Sequence, residues 1–121
     1  MKPGARLASA VEVLSEVLGR HRPVALALSE WGKSNRFAGS GDRSAIGNLV
    51  YDVLRRKNSL AAQMQSDKPR ALIVAAAPRA FGVSPDDVEH FADGSKSTLS
   101  PLTTEETAGL RAELPSELSP H

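Results

Sequence analysis

The chain has 121 residues, of which 40% are hydrophobic and 24% charged, a balance typical of one globular domain with a single modest core. It contains no cysteine, which excludes disulfides, thiolate metal ligands and cysteine nucleophiles from this chain. No segment approaches the roughly 18 consecutive apolar residues that a membrane span requires, so we expect no membrane contact. The missing cysteines also favour a cytoplasmic location.

The net charge of +1 conceals an uneven distribution along the chain. Residues 1–70 contain 12 Lys and Arg against 6 Asp and Glu, whereas residues 71–121 contain 3 against 8. A negatively charged partner is therefore expected only on the N-terminal part. A solvated surface with uneven charge explains the same numbers and stays open as the alternative.

Hydrophobic periodicity predicts three helices in the first half of the chain. The first covers about residues 3–19, with a proline in its first turn and apolar residues recurring on one face. The second covers about Val24 to Lys33, with Trp31 as the expected core anchor rather than a ligand-stacking residue. The third begins near Ser40 or Asp42, both of which can cap a helix. Its broad apolar face leads us to place it at the centre of the fold.

Shorter helical segments are predicted in the second half. Residues 59–65 form a brief helical turn. The run ALIVAAA after Pro69 is apolar on nearly all sides and is therefore predicted to be a buried helix. Pro78 is expected to kink or shorten this helix, because proline lacks the backbone donor and clashes with the preceding turn.

Capping signals mark the last two helices. Ser84 is the expected cap of a helix that stops at Gly94. Thr103 and Glu106 have the spacing of a capping box. The chain as a whole is predicted to be an all-α bundle of six or seven short helices over residues 1–114, followed by a flexible tail, residues 115–121.

Residues with catalytic or metal-binding chemistry are scattered. The three histidines His21, His90 and His121 have no second ligand at helical spacing, so no metal site is expected. The neighbouring Asp86 and Asp87 are explained better by the dipole of the helix that they begin than by paired-carboxylate catalysis. Nothing in the residues supports catalysis by this chain alone.

The segment GDRSAIGNLVYDVLRR, Gly41 to Arg56, resembles the central helix of NusB-like domains. The segments RLASAVEVLSEVL and RPVALALSEW are similar to the first two helices of that family. The closest resemblance, over roughly residues 1–110, is to the N-terminal domain of RsmB/Sun-type rRNA cytosine-5 methyltransferases. The matching motif positions are Asp42, Arg43, Val50, Tyr51, Leu54, Arg55 and Arg56.

The resemblance implies a compact NusB-like bundle that helps to seat a methyltransferase on ribosomal RNA. In that family a separate Rossmann-type domain binds S-adenosylmethionine and supplies two catalytic cysteines, and this chain has neither cysteines nor a glycine-rich fingerprint. We therefore expect the N-terminal domain of such an enzyme or a free-standing relative, without a cofactor of its own. The alternatives are a protein-interaction module that pairs with a ribosomal protein, as in the NusB antitermination group, or a docking domain for the missing catalytic domain.

Basic residues in the first half are the candidates for RNA contact. Most are arginines, whose forked guanidinium suits phosphate oxygens, and such contacts make binding sensitive to salt. Few exposed aromatics are expected, so we predict recognition of shape and backbone with little sequence readout. The basic end of the third helix is the best candidate for the RNA-facing surface. The predicted RNA-binding residues are Arg20, Arg22, Lys33, Arg36, Arg43, Arg55, Arg56 and Lys57.

Several of these residues also have a purely structural interpretation. Residues 55–57 are expected in the last turn of the third helix, where the helix dipole alone favours positive charge. Arg43 can instead form a local ion pair with Asp42. Tyr51 is expected in the core, with its hydroxyl at the rim, rather than as a platform for base stacking.

Overall fold

The structure, a computed structural model, describes residues 1–112, and within that range it contains seven α-helices and no strand. The prediction of an all-α bundle of six or seven helices is therefore confirmed. The predicted tail and the last two residues of the predicted 1–114 domain lie outside the described residues. The helices are α1 (Pro3–Gly19), α2 (Val24–Ser34), α3 (Ser40–Arg55), α4 (Lys57–Met64), α5 (Pro69–Phe81), α6 (Pro85–Phe91) and α7 (Thr104–Arg111).

Helix α5, rather than α3, runs through the centre of the bundle. All residues from Ala71 to Ala77 are buried, and α5 packs against α1, α3, α4, α6 and α7. Helix α3 packs an apolar stripe against α1 and α5 but leaves its other side in solvent. The difference follows from the two patterns, because a helix that is apolar all round must be enclosed, whereas an amphipathic helix needs only one covered face.

Pro78 lies inside α5, which continues through Phe81, so the prediction that this proline shortens the helix is wrong. Proline keeps a helical φ, and its cost, one lost backbone donor and crowding of a carbonyl in the preceding turn, is offset by the packing of α5 against five other helices. The helix ends at Gly82, whose φ of 67° is left-handed. The Val83 N–H then donates to the Pro78 carbonyl at 2.9 Å, which satisfies a carbonyl of the last turn.

The predicted caps of α6 and α7 are both present. The Ser84 hydroxyl accepts from the Asp87 N–H at 3.1 Å, and the Thr103 hydroxyl accepts from the Glu106 N–H at 3.0 Å. The carboxylate of Glu106 in turn accepts a hydrogen bond from the Thr103 N–H at 2.9 Å. This second bond completes the capping box. Helix α6 ends at Phe91, before the predicted stop.

The guanidinium of Arg70 joins α5 to α7 and to the segment before it. Its Nε and Nη2 donate to the two carboxylate oxygens of Glu106 at 2.6 and 2.9 Å. Its remaining donors bind the Ser100 hydroxyl and the carbonyls of Ser100 and Pro101. The hydrogen bonds from Arg70, more than any other contact, lower the pKa of Glu106 below its ordinary value.

This ion pair is expected to make stability depend on pH. Because the folded pKa of Glu106 lies below its ordinary value of 4.5, the paired carboxylate stabilises the fold above that pH, and the contribution is lost as the pH falls towards the folded pKa. We expect Glu106→Gln to lower the free energy of unfolding at pH 7, as measured by urea denaturation. The gap between variant and wild type should close as the pH falls from about 6 to about 3.

Glu105→Gln is the matched control, because Glu105 is exposed and forms no ion pair among the described residues. It should change the free energy of unfolding little at any pH. A Glu106→Gln gap that stays constant over this pH range would contradict the assigned role of the carboxylate.

Candidate nucleic-acid interface

The eight predicted RNA-binding residues lie at three separate places along the helices. One group lies between α1 and α2, one where α2 ends and α3 begins, and one where α3 meets α4. At about 1.5 Å per residue, α2 separates the first two groups by roughly 16 Å, and most of α3 separates the last two by about 18 Å. The groups are Arg20 with Arg22, then Lys33 with Arg36 and Arg43, then Arg55 with Arg56 and Lys57.

Between α1 and α2 the arginines are paired with glutamates. Arg22 Nη2 lies 2.7 Å from Glu30 Oε1, and Arg22 Nη1 lies 3.8 Å from Glu16 Oε1. Arg22 thus forms ion pairs with a glutamate of α1 and a glutamate of α2. Arg20 is paired only at 3.7 Å with Glu16, and 71% of its side chain is exposed, so this pair contributes little to stability.

At the junction of α3 and α4 the buried carboxylate of Asp52 binds the arginines. Arg56 Nη2 lies 2.6 Å from Asp52 Oδ2, while Arg55, with 68% of its side chain exposed, lies 3.7 Å from Oδ1. The guanidinium of Arg56 is thus committed to a structural ion pair. Lys57 is the first residue of α4, so the explanation by the dipole of α3 applies only to Arg55 in its last turn and to Arg56 at its C-cap.

The second group forms a cationic groove, which we name the α2–α3 groove. Gly32 allows a close approach there, because a Cβ at that position would lie 3.3 Å from Arg43 Cδ. Within residues 1–112, none of the three cations of the groove forms an ion pair. The groove is lined by Leu28, Ser29, Gly32, Lys33, Arg36 and Arg43.

Asp42 fixes the beginning of α3 and with it the position of Arg43. Asp42 Oδ2 accepts from the Gly39 N–H at 3.0 Å, and Oδ1 accepts from Arg6 on α1 at 2.8 and 2.9 Å. The Arg6 guanidinium first, and then the Gly39 N–H, lower the pKa of Asp42, so this carboxyl is ionised at neutral pH. The alternative pairing of Asp42 with Arg43 is not formed.

The exposure of the aromatic residues agrees with the prediction at Trp31 but not at Tyr51. Trp31 is 8% exposed, which confirms it as a core anchor. Tyr51 is 43% exposed, so its predicted core position is wrong. Sequence reasoning missed Phe37, which is 74% exposed in the connection between α2 and α3. Its position in a glycine-containing stretch between two helices was the available signal, because a residue there has few neighbours to cover it.

Comparison with protein-family models, with curated proteins and with solved structures found no match to this chain. No helix in residues 1–112 is both long enough and apolar enough to cross a bilayer. In the same range, no three His, Cys, Asp or Glu side chains are grouped so that they could hold a metal ion. A functional interpretation therefore depends on the α2–α3 groove and on the sequence resemblance.

The different environments of Arg56 and Arg36 predict effects of different size on stability. Arg56→Gln leaves the buried Asp52 carboxylate without its closest partner, so we expect the free energy of unfolding to fall by about 1–3 kcal/mol in urea denaturation. Arg36→Gln removes an exposed side chain that forms no ion pair, and it should change the free energy of unfolding by less than about 0.5 kcal/mol. Equal losses of stability in the two variants would contradict the distinction between Arg56, which forms a structural ion pair, and Arg36, which is available to a ligand.

Proposed function

We propose that this chain is an RNA-binding module whose main contact surface is the α2–α3 groove. The observation that carries the proposal is the convergence of Lys33, Arg36 and Arg43 without a carboxylate partner among the described residues. Three positive charges in one groove repel one another, and a polyanion relieves this repulsion. The forked donors of two arginines suit the paired oxygens of phosphate groups.

A longer RNA has further contacts available outside the groove. Arg20 and Arg55, with 71% and 68% of their side chains exposed, lie at the far ends of α2 and α3 from the groove. Their weak pairs with carboxylates exchange readily for phosphate contacts, because exposed ion pairs contribute little. Arg22 and Arg56 form closer ion pairs, at 2.7 and 2.6 Å, so we assign them a smaller part in such contacts.

The biological context that we propose is ribosomal RNA recognition for an S-adenosylmethionine-dependent rRNA cytosine-5 methyltransferase. This part rests on the resemblance of Gly41–Arg56 to the NusB-like domains of such enzymes. Within the motif, Asp42 fixes the beginning of α3 and Val50 is buried, while Arg43 belongs to the groove. Because this chain has no cysteine, the two catalytic cysteines of that family would belong to a further domain.

An apolar surface supports a second candidate function, docking against a protein partner. Partly buried Phe81, Val83 and Phe91 line a pocket together with the beginnings of α1 and α3. Such a surface suits a catalytic domain or a ribosomal protein. Binding there buries apolar area and would persist at moderate salt, which separates it from the RNA proposal.

RNA affinity is expected to depend on salt through the cations of the groove. In a plot of the logarithm of the association constant against the logarithm of the salt concentration, each phosphate contact makes the slope more negative by about 0.7–0.9. Three contacts therefore give a slope of about −2 to −3. We expect this slope for a labelled RNA hairpin with a single-stranded loop, measured by fluorescence anisotropy between about 50 and 200 mM KCl. Arg43→Gln should weaken binding and reduce the magnitude of the slope by about 1.

Arg79→Gln is the matched control, because it removes one exposed positive charge from α5, outside the groove. It should leave the slope unchanged. Equal losses in the two variants would assign the binding to net charge and contradict the groove. If the folded wild-type protein does not bind the hairpin at about 50 mM KCl, the proposed function is wrong.

A further inference from the structure

The connection between α2 and α3 presents an aromatic ring to solvent. Phe37 is 74% exposed, more than any other large hydrophobic residue within the part of the chain that the structure describes. A single exposed apolar side chain is common and needs no explanation by itself. Its significance depends on how the ring is held and on what surrounds it.

Arg36 and Phe37 occupy the two central positions of a tight turn. The Ala38 N–H donates to the Asn35 carbonyl at 3.0 Å and closes the turn. Both ends are anchored, since Asn35 Nδ2 donates to the Trp31 carbonyl at 2.8 Å and Ala38 is buried. The two side chains at the tip therefore project from a fixed backbone, which reduces the entropy that a bound partner must overcome.

Cationic groups flank the ring on both sides. On one side its neighbour Arg36 lines the α2–α3 groove. On the other side Phe37 lines a surface pocket together with Lys2 and Lys96, and Glu12 also contributes to that pocket. Neither lysine forms an ion pair among residues 1–112. Phe37 is therefore adjacent to cations of both the α2–α3 groove and this pocket.

We infer that Phe37 stacks on an unpaired base while Arg36 and the neighbouring cations hold the adjacent phosphates. Proteins that bind single-stranded nucleic acid combine cations that follow the backbone with aromatic rings that stack on bases. A base inside a duplex is covered by its neighbours, whereas a base in a loop or single strand can reach the ring. The inference rests on the proposed RNA binding and narrows its target to unpaired segments. It replaces the sequence expectation of recognition without stacking.

The test compares a fluorescein-labelled RNA single strand of about 12 nucleotides with a duplex of the same sequence and length, by anisotropy at low salt. We expect Phe37→Ala to weaken single-strand binding by about 5- to 100-fold, the range measured for loss of one stacked base. Duplex binding should change by less than about 2-fold, since it lacks the stacked base. Phe37→Trp should retain single-strand binding, while Phe37→Leu, which keeps apolar area but no ring, should lose it.

Tyr51→Ala is the control for loss of an exposed aromatic residue. Tyr51 lies about 12 Å along α3 from Arg43 and should not affect either RNA. If Phe37→Ala binds the single strand as tightly as wild type, or if Phe37→Leu binds as tightly as wild type, the stacking inference is wrong. Salt-sensitive binding that still requires Arg43 would leave the proposed function intact in that case. Absence of binding to both RNAs by the wild-type protein would overturn both.

Discussion

The carboxylate of Asp42 determines where the candidate binding surface lies. It accepts a hydrogen bond from the Gly39 N–H at the beginning of α3 and two from Arg6 on α1, and so ties the beginnings of two helices together. Because these contacts lower the pKa of Asp42, the link stays charged at neutral pH. Arg43 follows directly in the chain, and its side chain is thereby carried against α2. The link adds to the packing of α3 against α1, α2 and α5, and together these contacts set the distance between Arg43 and the other cations of the groove.

Local signals in the sequence were sufficient to place most helices. The bounds of α1 and the capping box of Thr103 and Glu106 involve residues within a few positions of one another, and both were predicted correctly. The errors concern long-range arrangement. The central position of α5 and its continuation past Pro78 both depend on how many helices pack against it.

The basic residues could be recognised in the sequence, but their division into two roles could not. Arg56 lies four residues after Asp52, a spacing that places the two side chains on one helix face, and this signal for a structural pair was available. The pair of Arg22 with Glu30 joins different segments and has no local signature. The exposure of Phe37 had only an indirect signal, its position in a glycine-containing stretch between two helices, because the turn that holds the ring in solvent has no apolar pattern of its own.

Acidic side chains in both halves of the chain form ion pairs with arginines. In the second half, Glu106 pairs with Arg70, while Asp86 and Glu89 both pair with Arg111, so these acids join α5, α6 and α7. Four of the six acids of the first half, Glu16, Glu30, Asp42 and Asp52, likewise form ion pairs.

Eight Lys and Arg side chains within residues 1–112 form no ion pair, and five of these line the α2–α3 groove or the pocket beside Phe37. Their grouping in two pockets next to one anchored turn, with an aromatic ring at its tip, agrees with the proposed surface for a polyanion with exposed bases.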